Sequence, residues 1–304
     1  MPVTSAQGGP AKLDIVATTS MIADAAREVG GSEVRVRALM GPGIDPHAYR
    51  QTRSDIAAMT RADLVFWHGL YLEAQLEEFM HKLARRRSVV AVAESLPKDR
   101  LLRHDDYANQ YDPHVWMDPQ IWTDGIAAVR DALIAARPNA RATFETNASR
   151  YIAEVEILAA YAADTLRSVS KQTRYLVTAH DAFNYFGRAF GFEVIGIQGI
   201  STESEAGLHR IAELVSLLVQ KNVTVVFVES SVSDRNVRAL IEGAAARGQK
   251  VSIGGELFSD AMGADSTYES SYIGMLDHNV TTIARALGGT APTRGMNNRL
   301  SAGS

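Results

Sequence analysis

The chain alternates short apolar runs with amphipathic stretches along most of its length. Eight runs rich in Val, Ile, Leu and Phe have the length of strands, and they cover residues 13–19, 33–40, 63–67, 88–93, 174–178, 193–197, 224–228 and 250–253. Helical spacing of apolar residues recurs around them, at 72–83, 183–190, 208–221, 236–247 and 272–287. This alternation is typical of parallel sheets covered by helices, so the pattern predicts an α/β fold.

One segment in the middle of the chain breaks the alternation. Residues 138–172 contain no Gly and, after Pro138, no further Pro. Apolar residues recur every three or four positions from Tyr151 to Val169 and form a single stripe. At ~1.5 Å per residue, a helix of ~33 residues is ~50 Å long. We therefore expect two lobes of parallel sheet, of about four strands each, joined by one long rigid α-helix.

These patterns divide the chain into five parts. We expect a flexible leader (1–11), an N-terminal α/β lobe (12–137), the long linking helix (138–172), a C-terminal α/β lobe (173–289) and a disordered tail (290–304). No basic segment followed by an apolar core opens the sequence, which fits either a cytosolic protein or a mature form without its export signal. No apolar run approaches the ~18 residues of a membrane span.

The amino-acid composition limits the partners and the kinds of functional site that we expect of the chain. The 304 residues include 31 Lys and Arg and 35 Asp and Glu, which gives a formal net charge of −4. A broad nucleic-acid footprint would need a clear basic excess, so nucleic acid is not an expected partner. The chain has no Cys, which excludes disulfides, thiolate metal sites and cysteine nucleophiles. A metal site here would use His, Asp, Glu or backbone oxygen.

Four metal-binding side chains lie near predicted strand ends or between the lobes. His47 follows the second strand, His180 ends the fifth, Asp260 follows the eighth, and His114 lies between the main runs of the two lobes. Ligands of open parallel sheets bind at the carboxyl ends of strands, so we expect these four to meet in the crevice between the lobes. Imidazole suits zinc and similar metals, and a carboxylate adds charge. Two alternatives stay open: a loop His can serve as a hydrogen-bonding residue, and Asp260 can cap a helix.

The other histidines have weaker claims to a functional role. Three are expected to be solvated or structural, namely His81 and His209 on charged helix faces and His278 on the last helix. His68, just after the third strand, is a candidate for the crevice wall. The polar loop that begins with His104, Asp105 and Asp106 either recruits metal weakly or is simply solvated.

Five segments carry a resemblance to a known family. They are Asp-Pro-His-Ala-Tyr, Ala-Asp-Leu-Val-Phe with the following Gly-Leu-Tyr-Leu-Glu, Asp-Pro-His-Val-Trp-Met-Asp-Pro, Thr-Ala-His-Asp-Ala-Phe-Asn-Tyr-Phe and Gly-Gly-Glu-Leu-Phe-Ser-Asp. Together and in this order, they resemble the metal-specific periplasmic solute-binding proteins of zinc and manganese ABC transporters, the TroA-like (cluster A-I) family. The resemblance covers residues 12–289 and includes the rigid interdomain helix. It places the family's four metal ligands on His47, His114, His180 and Asp260.

The resemblance implies a binding protein and not an enzyme. Such a protein captures Zn²⁺ or Mn²⁺ as transported cargo, in the periplasm or otherwise outside the cytoplasm, and delivers it to the permease of an ABC transporter. We expect a monomer, and a metallochaperone is a candidate further partner. Two alternatives use the same residues: a metal-dependent hydrolase, with Glu256 or Glu229 as general base, and a surface adhesion protein stabilised by its metal.

Two departures from the family pattern bear on the metal. Many manganese-selective members have Glu where this chain has His180, which favours zinc. Many zinc-selective members have a long loop rich in His and acidic residues before the second ligand, and here that region is only 98–111, which favours manganese. The subgroup with His at this position resembles one that accepts both metals.

The sequence also suggests how metal would be released. A long rigid connector limits hinge closure, so release is expected from local movement of loops and ligands. The segment 258–270 is polar and contains Gly263, so we expect it to move and Asp260 to control release. Asp45, Asp112 and Asp118 are candidate acceptors for the ligand histidines, with turn capping as their default role.

Overall fold

The N-terminal lobe is built around one parallel sheet. The computed structural model describes residues 11–103 and 110–301. Four strands pair in the order β2-β1-β3-β4, and they are β1 (Leu13–Ala17), β2 (Val34–Ala38), β3 (Leu64–Trp67) and β4 (Ser88–Ala91). The helices of this part of the chain are α1 (Ser20–Gly30), α2 (Arg53–Arg61), α3 (Glu77–Ala84) and α4 (Pro119–Ala136). The central strand β3 is buried along its whole length, as expected for a parallel sheet covered on both faces.

The C-terminal lobe repeats this architecture with a difference. Its strands form two parallel pairs, β5 (Tyr175–Thr178) with β6 (Glu193–Gly196) and β7 (Val225–Glu229) with β8 (Ser252–Leu257). Strands β5 and β7 lie side by side without a shared ladder, so the expected four strands are present as two sheets. The helices are α6 (Asn184–Phe190), α7 (Leu208–Lys221), α8 (Arg235–Ala246) and α9 (Tyr272–Ala286).

The long helix joining the lobes is α5 (Arg141–Arg167), with 27 residues. It is shorter than the predicted 138–172 because both ends form tighter turns. Pro138–Ala140 and Lys171–Thr173 are 3₁₀ turns, the second capped by the Ser170 hydroxyl. The predicted apolar stripe is confirmed as the buried face of α5, which packs against α1, α4, α6 and α9. No helix in the described part of the chain is long and apolar enough to cross a membrane.

The two lobes share one hydrophobic core. A single cluster of buried side chains extends from Phe66 on β3 through Trp116 and Phe144 to Leu276 on α9. The boundaries at 137 and 172 stay a prediction, since this core crosses both. A core common to two lobes resists their rigid-body separation, because opening would expose apolar surface to water.

A buried polar network crosses the same core. The Tyr151 hydroxyl donates to Asp24 Oδ2 at 2.5 Å, and the backbone N–H of Tyr272 donates to the same oxygen at 3.2 Å. These three residues lie on α5, α1 and α9. Burial raises the pKa of Asp24 to about 6, although both hydrogen bonds favour its ionised form. Three helices from different parts of the chain are thereby held together.

The structure corrects the expectation of a disordered tail for residues 290–301. Leu300 is only 1% exposed, the Met296 N–H donates to both oxygens of Asp277 at 2.9 Å, and the Ser301 N–H donates to Glu269 Oε1 at 3.0 Å. Gly295 permits this approach, since its φ is 70° and a Cβ there would lie 2.4 Å from the Asp277 carboxylate. The rest of the predicted tail, 302–304, and residues 1–10 of the predicted leader lie outside the described residues.

The packing of the tail can be tested by truncating its buried side chain. We expect Leu300→Ala to lower the free energy of unfolding by about 2–3 kcal/mol, as for other buried leucines. Leu208→Ala is the control, because Leu208 is 90% exposed, and it should change stability by less than ~0.5 kcal/mol. Urea-induced unfolding measures both variants. Equal, small effects would show that the tail does not pack in solution.

Candidate metal centre

The structure brings His47, His114, His180 and Asp260 together in the crevice between the lobes. All four side chains are buried, and each offers a ligand atom that lies within 4.8 Å of the others. The Nε2 atoms of His47 and His114 are 3.3 Å apart, and His180 Nε2 lies 3.1 Å from Asp260 Oδ2. His114 Nε2 is 3.4 Å from Asp260 Oδ1. The strand-end argument therefore predicts the right neighbourhood; coordination of a metal by these four stays a proposal.

Two of the histidines form hydrogen bonds with carboxylates through Nδ1, the ring nitrogen that faces away from the centre. His114 is bonded twice to Asp112 Oδ1, through its Nδ1 at 2.7 Å and its backbone N–H at 2.9 Å. His180 makes the same pair of contacts with Glu229, through Nδ1 at 2.6 Å and its backbone N–H at 2.9 Å. Each Nδ1–H donates to a carboxylate, so each Nε2 faces the centre. This is the usual support of a metal-binding histidine.

Sequence reasoning finds only part of this support. Asp112 is among the three aspartates expected to act as acceptors or turn caps, and it does both. Asp45 holds the backbone of its ligand, accepting the His47 N–H at 2.8 Å, while Asp118 caps α4 by accepting the Gln120 N–H. For Glu229, the sequence favours a structural or supporting role over that of general base but does not assign it to His180, because the two become adjacent only when β5 and β7 lie side by side. Its position at the end of β7 is the signal that could have found it.

The electrostatics of the cluster follow from burial and from these carboxylates. Burial opposes a charge on His114, but Asp112 and Asp260 outweigh it and raise the pKa of His114 to about 9. Burial lowers the pKa of His47 to about 3, with only partial opposition from Asp260. For Asp260, burial favours the neutral acid, yet His180 and His114 hold its pKa well below the usual range. The cluster therefore keeps one carboxylate charged where water is excluded, which demands positive charge beside it.

Several buried polar atoms in this cluster lack an aligned hydrogen-bond partner. They are His180 Nε2 and both carboxylate oxygens of Asp260. Asp260 Oδ2 lies 3.1 Å from His180 Nε2 and 3.8 Å from His47 Nε2, and Oδ1 lies 3.4 Å from His114 Nε2, but their directions do not fit hydrogen bonds. Buried polar atoms without partners are costly. Buried nitrogen and carboxylate oxygen atoms that converge with unmet hydrogen bonds are what a cation-binding site provides, and three nitrogens with one carboxylate suit a transition metal.

The alternative role of Asp260 as a helix cap is not seen. The α-helix that follows it, α9, is capped by Ser271, whose hydroxyl accepts the Gly274 N–H. The expectation of a mobile loop around Asp260 is also wrong for the residues nearest to it, because 259–263 are all buried. Trp116 explains this: its indole N–H donates to the Ser259 carbonyl at 2.8 Å across the crevice. Only 264–267 of the segment are exposed.

Three of the remaining histidines are exposed or structural, as the sequence predicts, and His68 makes an additional buried contact. His81 and His209 are exposed on helices, and His278 bonds through Nε2 to the Glu256 carbonyl at 2.8 Å. His68 is fully buried and lies behind the centre, where its Nε2 donates to the Pro113 carbonyl at 2.6 Å. It supports the residue that precedes His114. The loop containing His104, Asp105 and Asp106 lies outside the described residues.

Comparison with known proteins places the chain in a family. The model of the family described as "ZnuA: Zinc-uptake complex component A periplasmic" matches residues 15–286. The chain is 42% identical to the manganese-binding lipoprotein MntA of Bacillus subtilis over 276 residues, which is 91% of this chain and 90% of that protein. It is 43% identical to the zinc-binding protein TroA of Treponema pallidum over 273 residues, 90% and 88% of the two chains.

Solved structures agree with the sequence matches. The structure of the periplasmic zinc-binding protein TroA from Treponema pallidum superposes with a TM-score of 0.89 at 42% identity, and covers 91% of this chain and 99% of that one. The iron(III)-bound protein YtgA from Chlamydia trachomatis superposes with a TM-score of 0.83 at 28% identity, over 92% and 99%. With the family model matching nearly the whole described chain, the protein belongs to the ZnuA family, the periplasmic component A of zinc-uptake complexes.

Proposed function

We propose that the protein captures Zn²⁺ or Mn²⁺ outside the cytoplasm and delivers it to the permease of an ABC transporter. The observation that carries this proposal is the buried set of three imidazole Nε2 atoms and the Asp260 carboxylate, with ligand atoms within 4.8 Å of one another. Three neutral imidazoles and one carboxylate leave a bound divalent ion with a net charge of +1. The ion would be transported cargo, and the mechanism is coordination followed by release.

The donor set argues for binding and against hydrolysis. A catalytic zinc site usually has three protein ligands and an open position for water, whereas four protein ligands fill a tetrahedral shell. Glu229, a candidate general base, has both oxygens bonded to His180. Glu256 is exposed, so neither carboxylate is placed to activate water beside the centre. Family membership supports the binding function over both the hydrolase and the adhesion protein.

The preference of the site for zinc or manganese is described by the ratio of the two dissociation constants. Nitrogen-rich sites favour zinc, and the Irving–Williams order places Mn²⁺ lowest among the divalent first-row metals. Of the two relatives with 42–43% identity, one is named for manganese and the other for zinc. We propose that the site accepts both ions and binds Zn²⁺ more tightly.

All four proposed ligands come from one chain, which supports action as a monomer. Location in the periplasm, or outside the cytoplasm in general, fits the family's description. A metallochaperone stays a candidate partner beyond the permease.

Removing a ligand tests the site directly. We expect His114→Ala to weaken Zn²⁺ binding by at least ~100-fold in calorimetric titration, because it removes one of four coordinate bonds and leaves Asp112 without its partner. His81→Ala is the control, since His81 is an exposed histidine outside the cluster. Unchanged affinity in His114→Ala, with a normal fold by circular dichroism, would show that the metal binds elsewhere.

The carboxylate behind His114 gives a second test. We expect Asp112→Asn to weaken Zn²⁺ binding about 10–100-fold, the usual effect of losing such an acceptor. Asp118→Asn is the matched control, because this buried aspartate lies in the same segment but caps α4, and Asn caps helices equally well. Titration of both variants compares them. An equal loss in the two variants would contradict a specific role for Asp112.

Position 180 is expected to set metal preference. His180→Glu replaces a nitrogen ligand by a carboxylate, which suits manganese better than imidazole does. We expect the ratio of the Mn²⁺ and Zn²⁺ dissociation constants to shift towards manganese by ~10-fold or more, while zinc still binds more tightly. Competitive titration of the two ions measures this ratio, and an unchanged ratio would remove position 180 as the determinant.

A further inference from the structure

A loop of the C-terminal lobe reaches across the crevice to the segment that carries His47. It connects β6 to α7 and is exposed over most of its length. Among residues 201–205, only Thr202 is partly buried. Its hydroxyl donates to Asp45 Oδ2 at 2.5 Å, a contact between residues 157 positions apart. Thr202 therefore makes the part-buried contact of this loop with the other lobe, next to an exposed contact between Glu203 and Gln75.

Asp45 also forms a hydrogen bond with His47. Its other oxygen, Oδ1, accepts the His47 backbone N–H at 2.8 Å. One carboxylate thus links Thr202 of one lobe to a histidine of the metal centre in the other. A carboxylate accepting two hydrogen bonds from different segments fixes their separation, because both donors must stay in reach of the same rigid group.

The same loop is also anchored near His180. The Asp181 N–H donates to the Gly199 carbonyl at 3.2 Å, and Gln198 Nε2 donates to the Ser204 carbonyl at 3.1 Å. The loop therefore spans from the residue after one histidine of the centre to the residue that holds another.

His47 depends on this attachment more than the other histidines do. His114 and His180 each have a carboxylate bonded to Nδ1, whereas among the hydrogen bonds of the described residues His47 has only the backbone contact with Asp45 and the Nε2 contact with His114 at 3.3 Å. The segments around His114 and Asp260 are buried, at 112–119 and 259–263. By contrast, residues 42–44 beside His47 are exposed. Local opening is easiest where few buried contacts hold the chain.

We propose that Thr202 is a positioning residue for metal retention. Its bond to Asp45 holds His47 against the bound ion, and the ion leaves when this bond opens and the His47 segment moves out. The inference rests on the proposed function, because it requires that these residues hold a metal. It places the moving ligand at His47 and not at Asp260.

The test compares metal dissociation rates of conservative variants. Thr202→Val removes the hydroxyl and keeps the shape, whereas Thr202→Ser keeps the hydroxyl. Gln75→Ala is the control for the loop as a whole, since Gln75 makes an exposed hydrogen bond to Glu203 next to Thr202, at 2.6 Å. Each protein is loaded with Zn²⁺ and mixed with excess chelator in a stopped-flow instrument, and each melting temperature is recorded after chelator treatment.

We expect Zn²⁺ to leave Thr202→Val about tenfold faster than the wild type, in line with the loss of a hydrogen bond to a charged group. Thr202→Ser and Gln75→Ala should stay within twofold. A wild-type rate in Thr202→Val overturns the proposal, even if its melting temperature falls. Equal acceleration in Gln75→Ala also overturns it, because the attachment of the whole loop would then matter and not the Asp45 contact. A wild-type protein that retains no Zn²⁺ would overturn the proposed function itself.

Discussion

The candidate metal centre depends on keeping the Asp260 carboxylate charged in a place that excludes water. A buried carboxylate would normally take up a proton, but the imidazoles of His114 and His180 hold Asp260 in its ionised form. Those imidazoles in turn rely on Asp112 and Glu229 behind them. The three carboxylates come from different segments, so this charge balance exists only when both lobes are in place.

The common core explains why the lobes cannot simply hinge apart. Trp116 illustrates the constraint, because its indole N–H bonds to Ser259 while its own carbonyl accepts the Tyr272 hydroxyl at 2.8 Å. A wide opening would break both bonds and expose the shared apolar cluster. Local opening is therefore easier in surface segments, and residues 42–44 beside His47 are exposed.

Much of the fold and the centre of the site could be predicted from the sequence, and the exceptions have physical causes. Strand–helix alternation predicts parallel sheets, and the rule that ligands lie at strand ends selects His47, His180 and Asp260. The pairing of Glu229 with His180 is not predicted, because the sequence does not fix which strands are neighbours. The burial of the loop around Asp260 is not predicted, because Trp116, which bonds to Ser259 in this loop, lies 143 positions earlier in the chain. The tail looks disordered by composition, yet one buried leucine and Gly295 are enough to pack it.

The spacing of the ligands has a consequence for folding. They lie between residues 47 and 260, and β8, which leads to the last of them, is the final strand among the described residues. No partly folded intermediate that lacks the C-terminal lobe contains the complete donor set. Such contacts between distant residues form late and slowly. A chain that has not yet folded its C-terminal lobe therefore lacks the complete set of candidate ligands.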